Sequence, residues 1–210
     1  MAGSEREDYL LALYTSPRRR GNTSLLLDAL VEEAKGNGIE VVSFHVPRMD
    51  IRPCRGCNAC SRDGECIQED EMGLVYPHLR RARWVVLAAP VFSMHLCAQA
   101  KILVDRCQPF WALRYVLKRD LVPPEVERYR RGLLISCCGR DVPETFENLK
   151  PTLSYFFHVL RVGAWDQLVF PGVDAAGDIL KVEGALDQAR KWASEQLGIP
   201  TAGGQGTLAE

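Results

Sequence analysis

The sequence predicts an α/β fold in which helices cover both faces of a parallel sheet. Short runs of apolar and β-branched residues, typical of strands buried on both faces, recur along the chain. Between them lie segments with the apolar spacing of amphipathic helices. Because right-handed crossovers place helices on both faces, this alternation predicts a doubly wound sheet. With 210 residues, 47% of them hydrophobic, the chain is long enough for one well-packed domain.

Five segments have the composition of buried strands, and five have the spacing of helices. The predicted strands are 9–14, 40–45, 84–89, 131–136 and 165–170. The predicted helices are 23–35, 70–83, 98–117 with a break at Pro109, 143–161 and 181–197. We therefore expect one domain over residues 1–197, followed by a flexible or partner-docked tail at 198–210, which is rich in Gly and small residues.

Four cysteines lie within thirteen residues, in the sequence PCRGCNACSRDGEC. Two overlapping CxxC turns with a fourth cysteine five or six residues on can supply Cys54, Cys57, Cys60 and Cys66 as the thiolates of a 4Fe-4S cluster. Glycines within the loop can take positive φ where the chain bends. A zinc site usually has two separated CxxC pairs, and a thioredoxin-like couple needs only two cysteines. Zinc, disulfides and free thiols remain open alternatives.

The overall charge and composition argue against several classes of partner. The formal net charge is −1, so neither nucleic acid nor an anionic membrane is an expected partner. The N-terminus has no apolar signal region, and no run of about 18 apolar residues is present, which predicts a cytoplasmic protein. Eight cysteines in such a protein favour reduced thiols and metal ligation over disulfides.

The loop TSPRRRGNTS, at 15–24, follows the first strand and enters the first helix. Hydroxyls, cations and free backbone N–H groups at a helix N-terminus form a phosphate site. The loop matches neither the Walker pattern nor GxGxxG, so it supports neither ATP nor a dinucleotide fold. An ordinary helix cap is the alternative.

Three separated motifs carry a family resemblance. The resemblance is to the flavodoxin-like NAD(P)H-dependent FMN reductase family, and it is carried by SPRRRGNT, by the loop PVFSMHLC and by the helix AQAKILVDR that follows this loop. The cysteine run followed by EDEM resembles the iron–sulfur flavoprotein branch of that family. The resemblance spans residues 9–197 and implies a flavodoxin-like sheet of order 2-1-3-4-5, with a cysteine-rich insertion at 47–70 after strand 2. Thr15 and the pair Ser93–Met94 depart from the glycines usual there.

The resemblance also implies which residues contact FMN. These are Ser16, Arg18, Asn22 and Thr23 at the phosphate, Pro90, Val91, Phe92 and Ser93 at the ring, and Gly139 where a small residue allows close approach. Core packing is the alternative for Phe92. We expect the other cysteines to be buried core residues. They are Cys97, Cys107, Cys137 and Cys138. No general acid or base pairs with these loops, so no catalytic residue is predicted.

The sequence thus predicts an oxidoreductase that passes electrons between a one-electron donor and a small acceptor through a 4Fe-4S cluster and FMN. The resemblance implies a homodimer or tetramer, with ferredoxin as a donor, while NAD(P)H stacking directly on the flavin remains open. One alternative is a cluster-free NAD(P)H-dependent FMN or quinone reductase whose cysteine loop is structural or redox-sensing. Another is a non-enzymatic binding module stabilised by zinc.

Overall fold

The structure, a computed structural model, describes residues 8–122, 127–142 and 144–197. The predicted tail at 198–210 and Pro143, the expected first residue of a helix, lie outside these ranges.

Five parallel strands form the central sheet. They are β1 (Tyr9–Tyr14), β2 (Glu40–His45), β3 (Trp84–Ala88), β6 (Arg131–Cys137) and β7 (Ala164–Phe170), in the spatial order β2-β1-β3-β6-β7. The doubly wound α/β architecture is as predicted. The five-strand count omitted the antiparallel hairpin of β4 (Val91–Phe92) and β5 (His95–Leu96), which lies outside the sheet. Its strands are too short for a period-2 pattern to reveal them.

Seven α-helices lie in the described ranges, beside three short 3-10 helices and a π-helix at Ala112–Val116. The α-helices are α1 (Asn22–Gly36), α2 (Met72–Arg81), α3 (Ala98–Asp105), α4 (Gln108–Trp111), α5 (Glu144–Glu147), α6 (Lys150–Val159) and α7 (Ala185–Gln196). Two predicted helices are divided. The break in 98–117 falls before Pro109, which occupies the first turn of α4, and Pro151 occupies the first turn of α6. Proline begins a helix there because it lacks an N–H and its ring excludes the preceding turn.

The three inner strands are buried on both faces. In β1, Leu11 and Leu13 pack into the core beneath α2, α3 and α6, whereas Leu10 and Ala12 pack into the core beneath α1 and α7. The edge strands β2 and β7 are more exposed. All five parallel strands end at one edge of the sheet, which brings together the loops after β1, β3, β6 and β7.

Candidate functional site

A cleft at the carboxyl edge of the sheet is lined by the loops that follow β1, β3, β6 and β7. Its lining residues are Ser16, Arg18, Gly21, Asn22, Thr23, Pro90, Val91, Phe92, Cys137, Cys138, Gly139, Val173 and Asp174. Every residue that the resemblance assigned to FMN is among them except Ser93, which lies in the β4–β5 turn. The fold therefore brings residues from distant parts of the sequence to one place.

The N-terminus of α1 lies in this cleft and has no side-chain cap. Gly21 precedes the helix, and its first turn contains no acidic residue. The hydroxyl of Thr23 is buried, with the residue only 1% exposed, and its Oγ1 has no hydrogen-bond partner among the described residues. Since an unpaired buried hydroxyl is costly, a bound oxyanion is the natural acceptor for Thr23 and for the free N–H groups of the first turn. The site fits a phosphate.

Gly21 is needed here because the loop folds tightly back on itself. A Cβ at Gly21 would lie 2.6 Å from Ser16 Oγ, so any other residue would displace the Ser16 side chain. The Arg18 backbone N–H donates to the same Ser16 oxygen at 3.2 Å. The loop sequence alone does not reveal this role of Gly21.

The Asn22 side chain is engaged elsewhere. Its Nδ2 donates to the Ala175 carbonyl at 2.9 Å, and its Oδ1 accepts from the Gly177 and Ile179 N–H groups at 2.9 and 3.3 Å. Arg18 similarly donates through Nη1 to the Asp174 carbonyl at 2.7 Å. These two side chains connect the first loop to the loop after β7. The group that Asn22 can offer an anion is its backbone N–H.

The β4–β5 hairpin provides the apolar side of the cleft. Phe92 is 42% exposed, so core packing does not explain it. Ser93 and Met94 form the turn with φ of 49° and 62°, a left-handed conformation that favours glycine or asparagine. The sequence showed that the usual glycine is absent here, and the structure shows that the backbone keeps the glycine-like conformation.

The loop after β6 contributes small, neutral groups. Glycine is needed at position 139, because a Cβ there would lie 2.9 Å from the Cβ atom of Asp174. Cys137 and Cys138 are buried as predicted and also line the cleft. Burial raises the pKa of Cys137 to about 12 and also raises that of Cys138, so both thiols are protonated at neutral pH. No sequence motif predicted that Val173 and Asp174 line the cleft.

The four clustered cysteines lie in the long connection between β2 and α2, and all four line one cavity of about 260 Å³. Cys57 is exposed and the other three are half-buried. Burial raises the pKa of the Cys60 thiol, and neighbouring Cys54, Cys57 and Cys66 raise it further. Gly56 and Gly64 take positive φ at this loop, with φ of 62° and 85°. The other two predicted core cysteines, Cys97 and Cys107, are buried far from this loop in sequence.

The four thiols line one cavity without converging on a site for a single ion. Within residues 8–122, 127–142 and 144–197, no three His, Cys, Asp or Glu side chains lie close enough together to hold a single metal ion. The cysteines instead surround open space. Four thiol donors around one cavity suit a group of several atoms, and by their chemistry they suit iron and sulfide.

Comparison with known proteins identifies related sequences and folds. Residues 9–164 match the NADPH-dependent FMN reductase family. An iron–sulfur flavoprotein of Archaeoglobus fulgidus is 38% identical over 45% of this chain and 43% of its own length. One from Methanosarcina thermophila is 34% identical over 50% of this chain and 56% of its own. The chain thus spans about half the length of these curated relatives.

A solved structure supports the fold assignment. The NAD(P)H:quinone oxidoreductase from Methanothermobacter marburgensis superposes with a TM-score of 0.68 at 16% identity, covering 93% of this chain and 98% of that one. The chain therefore has an α/β fold of the flavodoxin-like type. Of the helices in the described ranges, none has the length and apolar character needed to cross a membrane.

Proposed function

The chain belongs to the NADPH-dependent FMN reductase family, and from this membership we propose that it is a flavin-dependent oxidoreductase that couples FMN to a 4Fe-4S cluster. The observation that carries the proposal is the presence of two separate sites, each with its own set of lining residues. One is the cleft with the uncapped N-terminus of α1, and the other is the cavity surrounded by four cysteines. No residue of the described ranges lines both.

We assign the FMN phosphate to the first turn of α1. Its backbone N–H groups, the hydroxyl of Thr23 and the hydroxyl of Ser16 bind the oxygens, and the guanidinium of Arg18 adds positive charge. Pro90, Val91 and Phe92 approach the flavin ring from the hairpin side, and the neutral Cys137 and Cys138 border it. These residues bind, orient and partly shield the flavin from water.

We assign Cys54, Cys57, Cys60 and Cys66 as the thiolate ligands of the cluster. The names of the curated relatives, iron–sulfur flavoproteins, support this assignment. When bound, FMN exchanges electrons singly or in pairs and the cluster exchanges them singly, so the two together connect one-electron carriers with two-electron chemistry. The cysteine loop places its ligands near the surface, with Cys57 exposed, where a donor protein can approach.

The proposed partners follow the same reasoning. We propose a homodimer or tetramer, a ferredoxin-like donor and a small-molecule acceptor, with NAD(P)H as a further candidate donor suggested by the family description. Nucleic acid and membrane binding are not proposed, since the formal net charge is only −1. A cytoplasmic location stays a prediction.

A second candidate function is a cluster-free NAD(P)H-dependent FMN or quinone reductase. The family description favours it, because that description names NADPH and FMN and no iron–sulfur cluster. In that case the cysteine loop is structural or redox-sensing. Family membership gives no support to a non-enzymatic zinc-stabilised module.

Purification without oxygen, followed by measurement of iron, acid-labile sulfide, zinc and released FMN, tests the proposal. We expect one FMN and about four iron and four sulfide per chain, the content of one cubane. Cys66→Ser should lose the iron and keep the flavin. Cys107→Ala is the matched control, since Cys107 is buried outside the cysteine cavity, and it should keep both. Flavin without iron, even after anaerobic reconstitution, would support the second candidate, and absence of flavin would contradict both.

A further inference from the structure

Arg106 lies directly after α3, and its side chain is buried, with only 1% exposed. The same residue lines the cavity that the four cysteines surround. A buried guanidinium needs acceptors for most of its five N–H donors and a counter-charge nearby. The positions of those acceptors therefore show which parts of the chain Arg106 holds together.

Its acceptors lie at the two ends of the cysteine loop. Nη1 donates to the Arg52 carbonyl at 2.7 Å, two residues before Cys54. Nη1 and Nη2 also donate to the two oxygens of Asp70, at 2.5 and 3.1 Å, four residues after Cys66. One side chain thus closes a loop that contains all four cysteines, because the segments entering and leaving the loop bind the same guanidinium.

Asp70 makes this closure rigid. Its carboxylate is fully buried and accepts from the backbone N–H groups of Arg52 and Met72, at 3.0 and 3.1 Å, in addition to Arg106. Tyr76 donates its hydroxyl to the Arg106 carbonyl at 2.8 Å, which holds the backbone of the same residue. A bidentate pair with this many further hydrogen bonds has one geometry, so it can fix where the loop begins and ends.

Arg106 also reaches a proposed ligand directly. Its Nη2 lies 3.5 Å from Cys66 Sγ, within hydrogen-bond distance for sulfur. Its Nε is buried with no partner in the described part of the chain. The guanidinium therefore directs one donor at a thiol of the cavity, in addition to the donors that close the loop.

We propose that Arg106 is a positioning residue for the iron–sulfur cluster, which closes the cysteine loop and donates an N–H to the Cys66 thiolate. This inference rests on the proposed function, since it presumes that the cysteines bind a cluster. Outer-shell groups orient metal ligands, and hydrogen bonds to ligand sulfurs raise the reduction potential by stabilising the more reduced state. Arg106 performs both roles from one buried site.

The test compares Arg106→Lys and Arg106→Met with the wild type after anaerobic reconstitution with iron and sulfide. Lysine keeps the charge but cannot form the bidentate pair and reach Arg52 and Cys66 together. Arg190→Met is the control, because Arg190 lies on α7, pairs with Asp187 at the surface and lines neither site. The readouts are iron content, the rate of iron release to a chelator, the midpoint potential of the cluster, and FMN content as a measure of folding.

We expect both Arg106 variants to keep FMN and to release iron at least tenfold faster than the wild type, as outer-shell changes elsewhere do. Arg106→Lys should also show a lower midpoint potential wherever cluster remains, while Arg190→Met matches the wild type. If Arg106→Lys keeps its iron with an unchanged release rate and potential, the inference is wrong although the proposed function stands. A wild-type protein that takes up no iron overturns the cluster assignment itself, and the inference with it.

Discussion

At the scale of single residues, Thr23 carries the clearest signal of a ligand. Its hydroxyl is buried without a partner among the described residues, at the first turn of an uncapped helix. Thr23→Val removes that hydroxyl and nearly preserves the shape of the side chain. We expect FMN affinity to fall by about 10- to 100-fold, because a hydrogen bond to a charged group contributes about 1.5–3 kcal/mol. Titration of the apoprotein with FMN, followed by flavin fluorescence, measures this change.

The same variant should not destabilise the protein without FMN, since no hydrogen bond is lost. Its free energy of unfolding should equal or exceed that of the wild type. Ser194→Ala is the control, because it removes a hydroxyl that donates to the Arg190 carbonyl on α7, outside the cleft, and FMN affinity should be unchanged. Unaltered affinity in Thr23→Val would remove Thr23 from the phosphate site.

At the scale of secondary-structure elements, Arg130 connects two helices to the start of β6. It is fully buried and donates to the carbonyls of Leu79 and Ala82 at the end of α2, at 2.7 and 3.0 Å, and to that of Leu160 after α6. Burial lowers the pKa of Arg130 to about 10, so it stays charged at neutral pH. A cation at two helix C-termini also interacts favourably with both helix dipoles.

We therefore expect Arg130→Met to lower the free energy of unfolding by about 3 kcal/mol or more, because three buried carbonyls lose their donor. Arg131→Met, the control on the adjacent residue, should change it by less than about 0.5 kcal/mol, since among the described residues the Arg131 side chain makes one weak hydrogen bond, to the Arg130 carbonyl. Urea denaturation measures both. Equal effects in the two variants would contradict the role of Arg130.

The β4–β5 turn is strained because neither of its central residues is glycine. Ser93 and Met94 both have positive φ, which costs a non-glycine residue of the order of 1 kcal/mol. Met94→Gly removes that backbone cost together with the side chain, and Met94→Ala removes the side chain alone. We expect the glycine variant to be more stable than the alanine variant by about 1 kcal/mol in urea denaturation. If alanine is equally stable, the turn does not have this conformation in solution.

The sequence predicted best those segments whose secondary structure depends mainly on their own residues. The apolar runs of β1 and β3 predicted strands to within one residue, because a strand that is buried on both faces consists almost entirely of apolar residues. The divided helices were less predictable, since a proline inside a helical pattern indicates a boundary only approximately. The hairpin was missed because two-residue strands carry no periodicity.

In the candidate sites, too, local motifs located residues but did not reveal contacts between distant residues. The motifs predicted most lining residues of the cleft, since loops after parallel strands meet at one edge. They did not predict that the Asn22 side chain holds the loop after β7, nor that Arg106 joins Arg52 to Asp70. These contacts link residues far apart in sequence, and no local pattern records which side chain satisfies a distant carbonyl.

At the scale of the whole molecule, two sites that share no lining residue within the described part of the chain predict two separate redox centres. FMN accepts two electrons and a 4Fe-4S cluster accepts one, so anaerobic titration with dithionite should consume about three electrons per chain. Cys66→Ser should consume about two, because it retains only the flavin. Cys107→Ala should match the wild type, as its thiol lies outside the cysteine cavity. Two electrons in all three proteins would mean that the cysteine loop carries no redox centre, and the chain would then be a cluster-free reductase.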